Sequence, residues 1–360
     1  MTDDPTNPFL HYFLCVSYLF VFLATIIGNL IILLVFVSQK KIRSVPNFFL
    51  ANLTVADLFV GIFCVLQNGV HYMIKGKFGW PFGRVLCYSY IYVLHFIPNV
   101  SAGILVLVSI ERLIAVLRPL RVRRAFSHKV LVTSSAFVWI TSAIMNTPYI
   151  LTSQFVEIPD NDTTIVGCTR KHVTIGGFSV LKVTATVNFV VWYAIPAVIL
   201  LCIYATIGLV VSKAATITKQ SANKLLPRSS KSWRSEASTG GVSVEKRRKV
   251  GRLAVGIVVA FAFLSLPRHL YLMWIVWRDN NVPRSMTFFT KLLHPMTFLL
   301  LFFNSAINPF LYAFLSTRFR QSIKETFQIG KVRESNIELS SRLRRKTAQS
   351  EADTTYEYQA

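Results

Sequence analysis

Seven long apolar stretches, almost free of charged residues, constrain this sequence more than any other feature. They lie near residues 10–37, 46–73, 85–110, 130–152, 177–212, 253–277 and 286–314. Each is long enough to cross the roughly 30 Å hydrocarbon core of a bilayer as an α-helix. Only 15% of the 360 residues are charged, against about 25% in soluble domains. We therefore predict an all-α membrane protein, a bundle of seven transmembrane helices in contact with the lipid bilayer.

Basic residues concentrate on one side of these stretches. Lys40, Lys41 and Arg43 follow the first stretch, and Arg118–Lys129 includes the basic residues after the third. Further basic residues lie within 213–252, after the fifth stretch, and within Arg318–Lys346, after the seventh. Because cytoplasmic loops carry the excess of Lys and Arg, we predict a multi-pass membrane protein with its N-terminus outside and its C-terminus in the cytoplasm, and we expect the membrane to be the plasma membrane. This topology also explains the net charge of +23, so the sequence does not indicate binding of nucleic acid.

The composition divides the chain into segments. We predict a short extracellular N-terminus (1–9), the bundle (10–314) with a third cytoplasmic loop at about 213–250, an amphipathic helix (315–327) and a disordered cytoplasmic tail (328–360). Phe319, Ile323 and Phe327 share one face of the amphipathic helix, and Arg320 and Lys324 share another. This pattern is typical of a helix that lies in the membrane interface.

Two of the cysteines are predicted to form a disulfide bond. Cys87 lies at the outer end of the third stretch, and Cys168 lies in the loop after the fourth. In the predicted orientation both face an oxidising compartment, where disulfide bonds form and persist. The same loop contains the sequon Asn161-Asp162-Thr163, so we predict glycosylation of Asn161.

Several polar residues interrupt the apolar stretches, where they must find partners inside the bundle. They are Asn29, Asp57, Ser101, Asn304, Ser305 and Asn308. Asp57 is the one acidic residue near the centre of a stretch, and a carboxylate there needs a cation, a proton or several donors. Because the neighbouring side chains offer oxygen ligands, we predict a polar network that can hold a sodium ion at Asp57. No other metal site and no cofactor are indicated.

Prolines recur within the later stretches, at Pro196, Pro267 and Pro309. Each frees a backbone carbonyl and weakens the helix locally. Such positions are used either as hinges in proteins that move their helix ends or as static kinks. The sequence leaves both interpretations open.

Short motifs occur in order, one or more in each stretch. They are Gly28-Asn29, NLTVAD (52–57), Cys87, SIERL (109–113), Trp139, Cys168, Pro196, Tyr204, FLSLP (263–267) and NPFLY (308–312). The ordered set resembles the rhodopsin-like family of G-protein-coupled receptors over residues 10–326. The resemblance implies a receptor rather than an enzyme, with a heterotrimeric G protein, receptor kinases and arrestin as partners.

The resemblance also assigns roles to single residues. Those implied for switching and G-protein coupling are Glu111, Arg112, Tyr204, Asn308, Pro309 and Tyr312. Arg112 would pair with Glu111 at rest and face the G protein when active. Three residues depart from the family pattern. Leu113 stands where the family usually has an aromatic residue, Arg247 where a subset of the family has an acid, and Ser265 where the family typically has a tryptophan. These departures put the usual basal restraint and aromatic switch in doubt for this chain.

The predicted ligand pocket lies in the outer half of the bundle. Leu94 stands where amine receptors of the family carry an aspartate, and residues 297–303 lack the lysine of photoreceptors, so a monoamine and retinal are disfavoured. The candidate ligand-binding residues are Lys182, Arg268, His269, His95, His294 and Phe298. A guanidinium inside a span needs an anionic partner or carbonyl groups. We therefore expect Arg268 to receive such a group of the ligand.

Two loop features favour an extracellular peptide as the ligand, and we predict that it is a neuropeptide. WPFG (80–83) resembles the first outer loop of many peptide receptors, and residues 153–175 alternate apolar and polar around an Asn-Asp turn, which predicts a β-hairpin lid. The alternative is a chemosensory receptor for small molecules. A secondary transporter is a remote alternative, because the sequence has one central acid and no repeated halves.

Overall fold

The computed structural model describes residues 8–38, 45–73, 80–118, 125–160, 163–224, 255–256, 258–278, 288–315 and 319–328. Helices α1 (Pro8–Ser38), α3 (Gly83–Leu117) and α7 (Phe288–Leu315) are each one α-helix. Helix α2 runs through Val45–Phe59, the π-helical Val60–Val65 and Leu66–Met73. Helix α4 comprises His128–Asn146 and Pro148–Leu151, and α5 comprises Val180–Phe189, the π-helical Val190–Ala194 and Ile195–Lys224. Helix α6 covers Val258–Trp277, and α8 covers 319–328.

Seven of the described helices, α1 to α7, are long and apolar enough to cross a membrane. The prediction of a seven-helix bundle with a short eighth helix is therefore confirmed. Helix α3 continues to Leu117 and α5 to Lys224, beyond the apolar stretches that ended near 110 and 212. The predictions for the N-terminal residues 1–7, the loop 225–254, Asn161 and the tail 329–360 lie outside the described residues.

The helices bury polar residues and turn large apolar residues outward. In α1, Thr25 and Asn29 are fully buried, whereas Phe9, Phe20 and Leu34 are more than half exposed. Lipid tails are as apolar as these side chains, so such a surface is stable in a bilayer. This is the burial pattern that a membrane bundle requires.

Two glycines let neighbouring helices approach closely. A Cβ atom on Gly28 of α1 would lie 2.7 Å from Cγ of Pro309 in α7. A Cβ atom on Gly103 of α3 would lie 2.5 Å from Cγ1 of Val138 in α4. Small residues at such crossings bring backbones within van der Waals contact. The proline of the NPFLY motif therefore also forms the contact between the first and last spans.

A β-hairpin connects α4 to α5, as the alternation of residues 153–175 predicts. Strand β1 (Ser153–Asp160) pairs with β2 (Thr163–Arg170) in antiparallel register, and Ser153 lies opposite Arg170. A shorter pair follows, β3 (Thr174–Ile175) with β4 (Phe178–Ser179). Its turn uses Gly176 and Gly177, both at positive φ, where glycine has no steric penalty.

Several contacts anchor the hairpin to the bundle. Cys87 at the start of α3 and Cys168 in β2 form a disulfide bond, which confirms that prediction. The backbone N–H of Trp80 donates to the carbonyl of Val166 over 2.6 Å. Arg84 of α3 forms an exposed ion pair with Glu157 of β1. We call this end of the bundle the hairpin end and the opposite end, where α3 carries Arg112, the Arg112 end.

The prolines lie within the helices at places where hydrogen bonding changes. Pro196 cannot donate to the carbonyl of Trp192, four residues earlier, and the π-helical segment of α5 ends just before it. Pro309 lies inside α7 and Pro267 inside α6. Their use as hinges stays a prediction.

Candidate functional site

Near the hairpin end, an arginine of α6 packs on an aromatic ring of α7. Cζ of Arg268 lies 3.7 Å from the centroid of the Phe298 ring, and only 7% of Arg268 is exposed. His294, one turn before Phe298, packs against the same ring and against Tyr271, with centroid separations of 5.1 and 5.4 Å. Three of the predicted ligand-binding residues thus form one cluster.

A second cluster joins α3, α4 and the hairpin. His95 stacks on Tyr149 with ring centroids 3.9 Å apart, and Cζ of Arg170 lies 5.6 Å from the same tyrosine ring. Nδ1 of His95 donates to the carbonyl of Ile91 over 2.9 Å. Because a neutral imidazole has one donor and one acceptor, Nε2 is the acceptor for Nη2 of Arg170, 3.4 Å away. His95 therefore positions an arginine of the hairpin.

The other two predicted ligand-binding residues lie in separate contacts between α5 and α6. His269 packs on Tyr193, with ring centroids 4.7 Å apart. Lys182 places its Nζ 5.3 Å from the ring centroid of Trp277, an exposed residue near the end of α6. The structure therefore does not bring Lys182 into the cluster around Arg268.

A polar network crosses the middle of the bundle between α1, α2 and α7. Nδ2 of Asn308 donates to Oδ2 of Asp57 over 2.8 Å, and both residues are buried. Nδ2 of Asn29 donates to the carbonyls of Thr25 and Ser305 over 2.9 and 3.2 Å. The bonds from Asn308 to Asp57 and from Asn29 to Ser305 join helices that are far apart in sequence, so they stabilise the position of the last span against the first two.

A small cavity lies next to this network. Its lining comprises Val60, Pro98, Ser101, Phe261, Ser265, Leu301, Asn304 and Ser305. Ser265 is buried and occupies the place where the family usually has a tryptophan. Because a serine is much smaller than an indole, the departure at this position leaves room beside the polar network.

Several oxygen atoms of the network have no hydrogen-bond partner among the described residues. They are Oδ1 of Asp57, Oδ1 of Asn29, Oδ1 of Asn308 and Oγ of Ser101. Carboxylate, amide and hydroxyl oxygens are ligands that a hard cation prefers. The donor set therefore fits a sodium ion, which stays a proposal.

An ion pair and a tyrosine mark the Arg112 end of α3. Nε of Arg112 lies 3.4 Å from Oε2 of Glu111, whose side chain is 2% exposed. The hydroxyl of Tyr204 in α5 lies 3.1 Å from Oγ of Ser109. Glu111 is buried, and Arg112 is the cation paired with it in the described part of the chain. Restraint of Arg112 by this pair stays a prediction.

Tyr312 connects α7 to α8. Its ring packs on Phe319 with a centroid separation of 6.1 Å, and its hydroxyl has no partner within the described ranges. Tyr312 lies one turn after Asn308, so the residues of the NPFLY motif contact α1, α2 and α8 together. A shift of α7 would change all of these contacts.

Sequence reasoning missed a network of three buried amides. Nδ2 of Asn99 in α3 donates to Oδ1 of Asn146 in α4 over 3.3 Å and to Oδ1 of Asn188 in α5 over 2.5 Å. The signal was present as three asparagines inside apolar stretches. It could not be interpreted, because the sequence does not say which faces of the three helices meet.

The family assignment follows from this geometry and from comparison with known proteins. Residues 28–312 match the family described as 7 transmembrane receptor (rhodopsin family). The match covers well over half of the chain and includes all or part of each of the seven described transmembrane helices. The chain therefore belongs to the rhodopsin family of seven-transmembrane receptors.

Its relatives share modest identity over most of this chain. It is 25% identical to the trissin receptor of Drosophila melanogaster, over 86% of this chain and 65% of that receptor. It is 28% identical to galanin receptor 2b of Danio rerio, over 85% of this chain and 72% of the relative. Identity to neuropeptide FF receptor 2 of Mus musculus is 27%, over 87% of this chain and 72% of the relative. The chain thus spans about two thirds to three quarters of the length of these relatives.

Proposed function

We propose that this chain is a neuropeptide receptor of the plasma membrane that couples to a heterotrimeric G protein. Membership of the rhodopsin family supports the receptor class. Relatives whose names identify them as receptors for neuropeptide FF and for the neuropeptide CCHamide-1 support a peptide ligand. The basic flanks support an orientation in which the hairpin end faces outside and the Arg112 end faces the cytoplasm.

The observation that carries the peptide ligand is the anchored hairpin above charged and aromatic residues. The disulfide bond and the Trp80 hydrogen bond hold β2 at the hairpin end. Arg170 of that strand reaches His95 of α3, so the lid and the helices below it form one surface. A peptide is long enough to contact the strands and the helices at once, and strand edges offer it backbone hydrogen bonds.

Coupling is proposed to run from this surface to Arg112. Ligand contacts on α6 and α7 would shift the balance between two arrangements of the bundle, as a ligand does when it binds one state better. Release of Arg112 from Glu111 would then expose its guanidinium to the G protein. Serines and threonines of the cytoplasmic tail are proposed substrates of receptor kinases, which would create a docking site for arrestin.

An Arg112→Ala variant tests this proposal. We expect cells that express the wild-type chain with a promiscuous G protein to give a calcium response to pooled synthetic neuropeptides. The response should disappear in the variant at matched surface level, because the cation that faces the G protein is lost. The measurement is intracellular calcium on application of the pools, with monoamines, lipids and odorants applied separately.

The matched control is Arg118→Ala, which removes an exposed arginine just after α3 and should leave the response intact. If the receptor does not respond to the peptide pools but responds to odorants, its ligand is a small molecule and not a peptide. A peptide response that survives Arg112→Ala would contradict the role given to that residue.

The sodium proposal has its own test. Replacing sodium chloride by choline chloride at constant ionic strength should change the potency of the active pool on the wild-type chain. Asp57→Asn should abolish this dependence, because the carboxylate is the one charged ligand of the network. Potency curves in the two salts measure the effect, and an unchanged sodium dependence in Asp57→Asn would contradict the site.

A further inference from the structure

Two arginines from different parts of the chain lie near each other at the hairpin end. Arg268 comes from α6, and Arg170 comes from β2, close enough that its positive charge acts on Arg268. Neither forms an ion pair with an acidic residue in the part of the chain that the structure describes. Burial lowers the pKa of the Arg170 guanidinium, as expected for a cation removed from water. Two such cations without a counter-charge are costly, so the arrangement is suited to receive an anion.

The geometry of each arginine leaves donors available. The face of Arg268 is covered by Phe298, and a stacked guanidinium keeps its N–H groups in the plane of the group. No hydrogen bond from Arg268 to another described residue is formed. Arg170 donates one N–H group to His95, and one face of its guanidinium contacts the ring of Tyr149. These two contacts hold Arg170 in place.

A neutral donor completes the cluster. The hydroxyl of Tyr149 is fully buried and has no hydrogen-bond partner within the described residues. Cζ of Arg170 lies 5.6 Å from the centroid of the Tyr149 ring, and the charge of Arg268 also acts on it. A buried hydroxyl without a partner is costly, and an anion placed between the two guanidiniums would accept from it as well.

We propose that Arg170, Arg268 and Tyr149 bind a carboxylate group of the ligand. This inference rests on the proposed function, because it takes the ligand to be a peptide. Planar guanidiniums match the two oxygens of a carboxylate, and a peptide supplies carboxylates at its C-terminus and on Asp or Glu side chains. Phe298 and His294 beside Arg268 would contact the apolar atoms of the same residue.

A binding test that does not depend on signalling uses N-acetylphenylalanine and its amide as probes. They are added to the purified full-length receptor in detergent, and its thermal unfolding is followed. The acid should stabilise the wild-type protein at concentrations at least about 30-fold below those of the amide, because the amide leaves the two cations without a counter-charge. Arg170→Gln and Arg268→Gln should each remove most of this difference.

Arg278→Gln is the matched control, because Arg278 lies just after α6 on the ring of Trp274, outside the cluster. Arg170→Lys and Arg268→Lys keep the positive charge but lose the planar pair of N–H donors. They serve where a glutamine variant fails to fold, and they should bind the acid more weakly than the wild type. Equal stabilisation by acid and amide, or discrimination that persists in both glutamine variants, overturns the carboxylate site.

Matched peptide pools then distinguish the two sources of the carboxylate. One pool carries free C-termini, a second carries amidated C-termini, and a third replaces Asp and Glu by Asn and Gln. Loss of the calcium response on amidation assigns the site to the C-terminus, and loss in the third pool assigns it to a side chain. A response retained by both pools overturns the inference. Stabilisation by the acid probe with no response to any pool would instead mean that the carboxylate site stands and the neuropeptide function fails.

Discussion

Replacing Cys87 or Cys168 with serine will remove most of the folded protein from the cell surface. The bond closes a chain segment with a sequence separation of 81 residues. In the chain-entropy account a loop of this length contributes about 4.5 kcal/mol, which is a large part of the stability of a typical domain. The same bond holds β2 over the helices, so the variants should also lose the position of Arg170. Surface labelling and thermal unfolding of the purified protein measure the two effects.

The control for the disulfide prediction is Cys202→Ser. Cys202 is a free and exposed cysteine of α5, so its replacement tests the loss of a thiol without the loss of a cross-link. It should change the surface level and the unfolding temperature little. A Cys87→Ser variant with the surface level and unfolding temperature of the wild type would show that the hairpin is held by its other contacts.

The fold could be predicted from the sequence because its strongest signals are local. Each apolar stretch contains the information for one helix, since a backbone in hydrocarbon must satisfy its own hydrogen bonds. The hairpin was predicted from the alternation of apolar and polar residues on both sides of one turn. The pairing of Cys87 with Cys168 followed from the predicted side of the membrane, which needs the order of the spans and no contact between them.

The candidate site was predicted less completely because it depends on contacts between distant segments. Asp57 and Asn308 were placed in one network, since each is costly alone in a span. Arg170 was not among the predicted ligand-binding residues, because nothing in its neighbourhood in sequence indicates that β2 reaches α3. The stack of Arg268 on Phe298 was also unseen, although both residues were chosen as ligand contacts. Which face a helix presents to its neighbour is decided by packing.

Asn308→Ala will destabilise the folded bundle by about 3 kcal/mol. Nδ2 of Asn308 donates to Oδ2 of Asp57 over 2.8 Å. Removing the amide takes this donor away from a buried carboxyl group, and a loss of this kind costs about 1–3 kcal/mol, more when the group is charged. Thermal unfolding of the purified protein measures the loss. Asn304→Ala, one turn earlier on α7 and beside the cavity, is the matched control and should have a small effect.

A double-mutant cycle separates the contribution of the Asn308–Asp57 hydrogen bond from the general cost of truncating a side chain. Asp57→Ala removes the carboxyl group from which Asn308→Ala takes a donor, so the double variant should be more stable than the two single losses predict by addition. The difference is the coupling between α2 and α7, and it should be absent when Asn304→Ala takes the place of Asn308→Ala. Additive losses for Asp57 and Asn308 would mean that the two side chains do not stabilise each other.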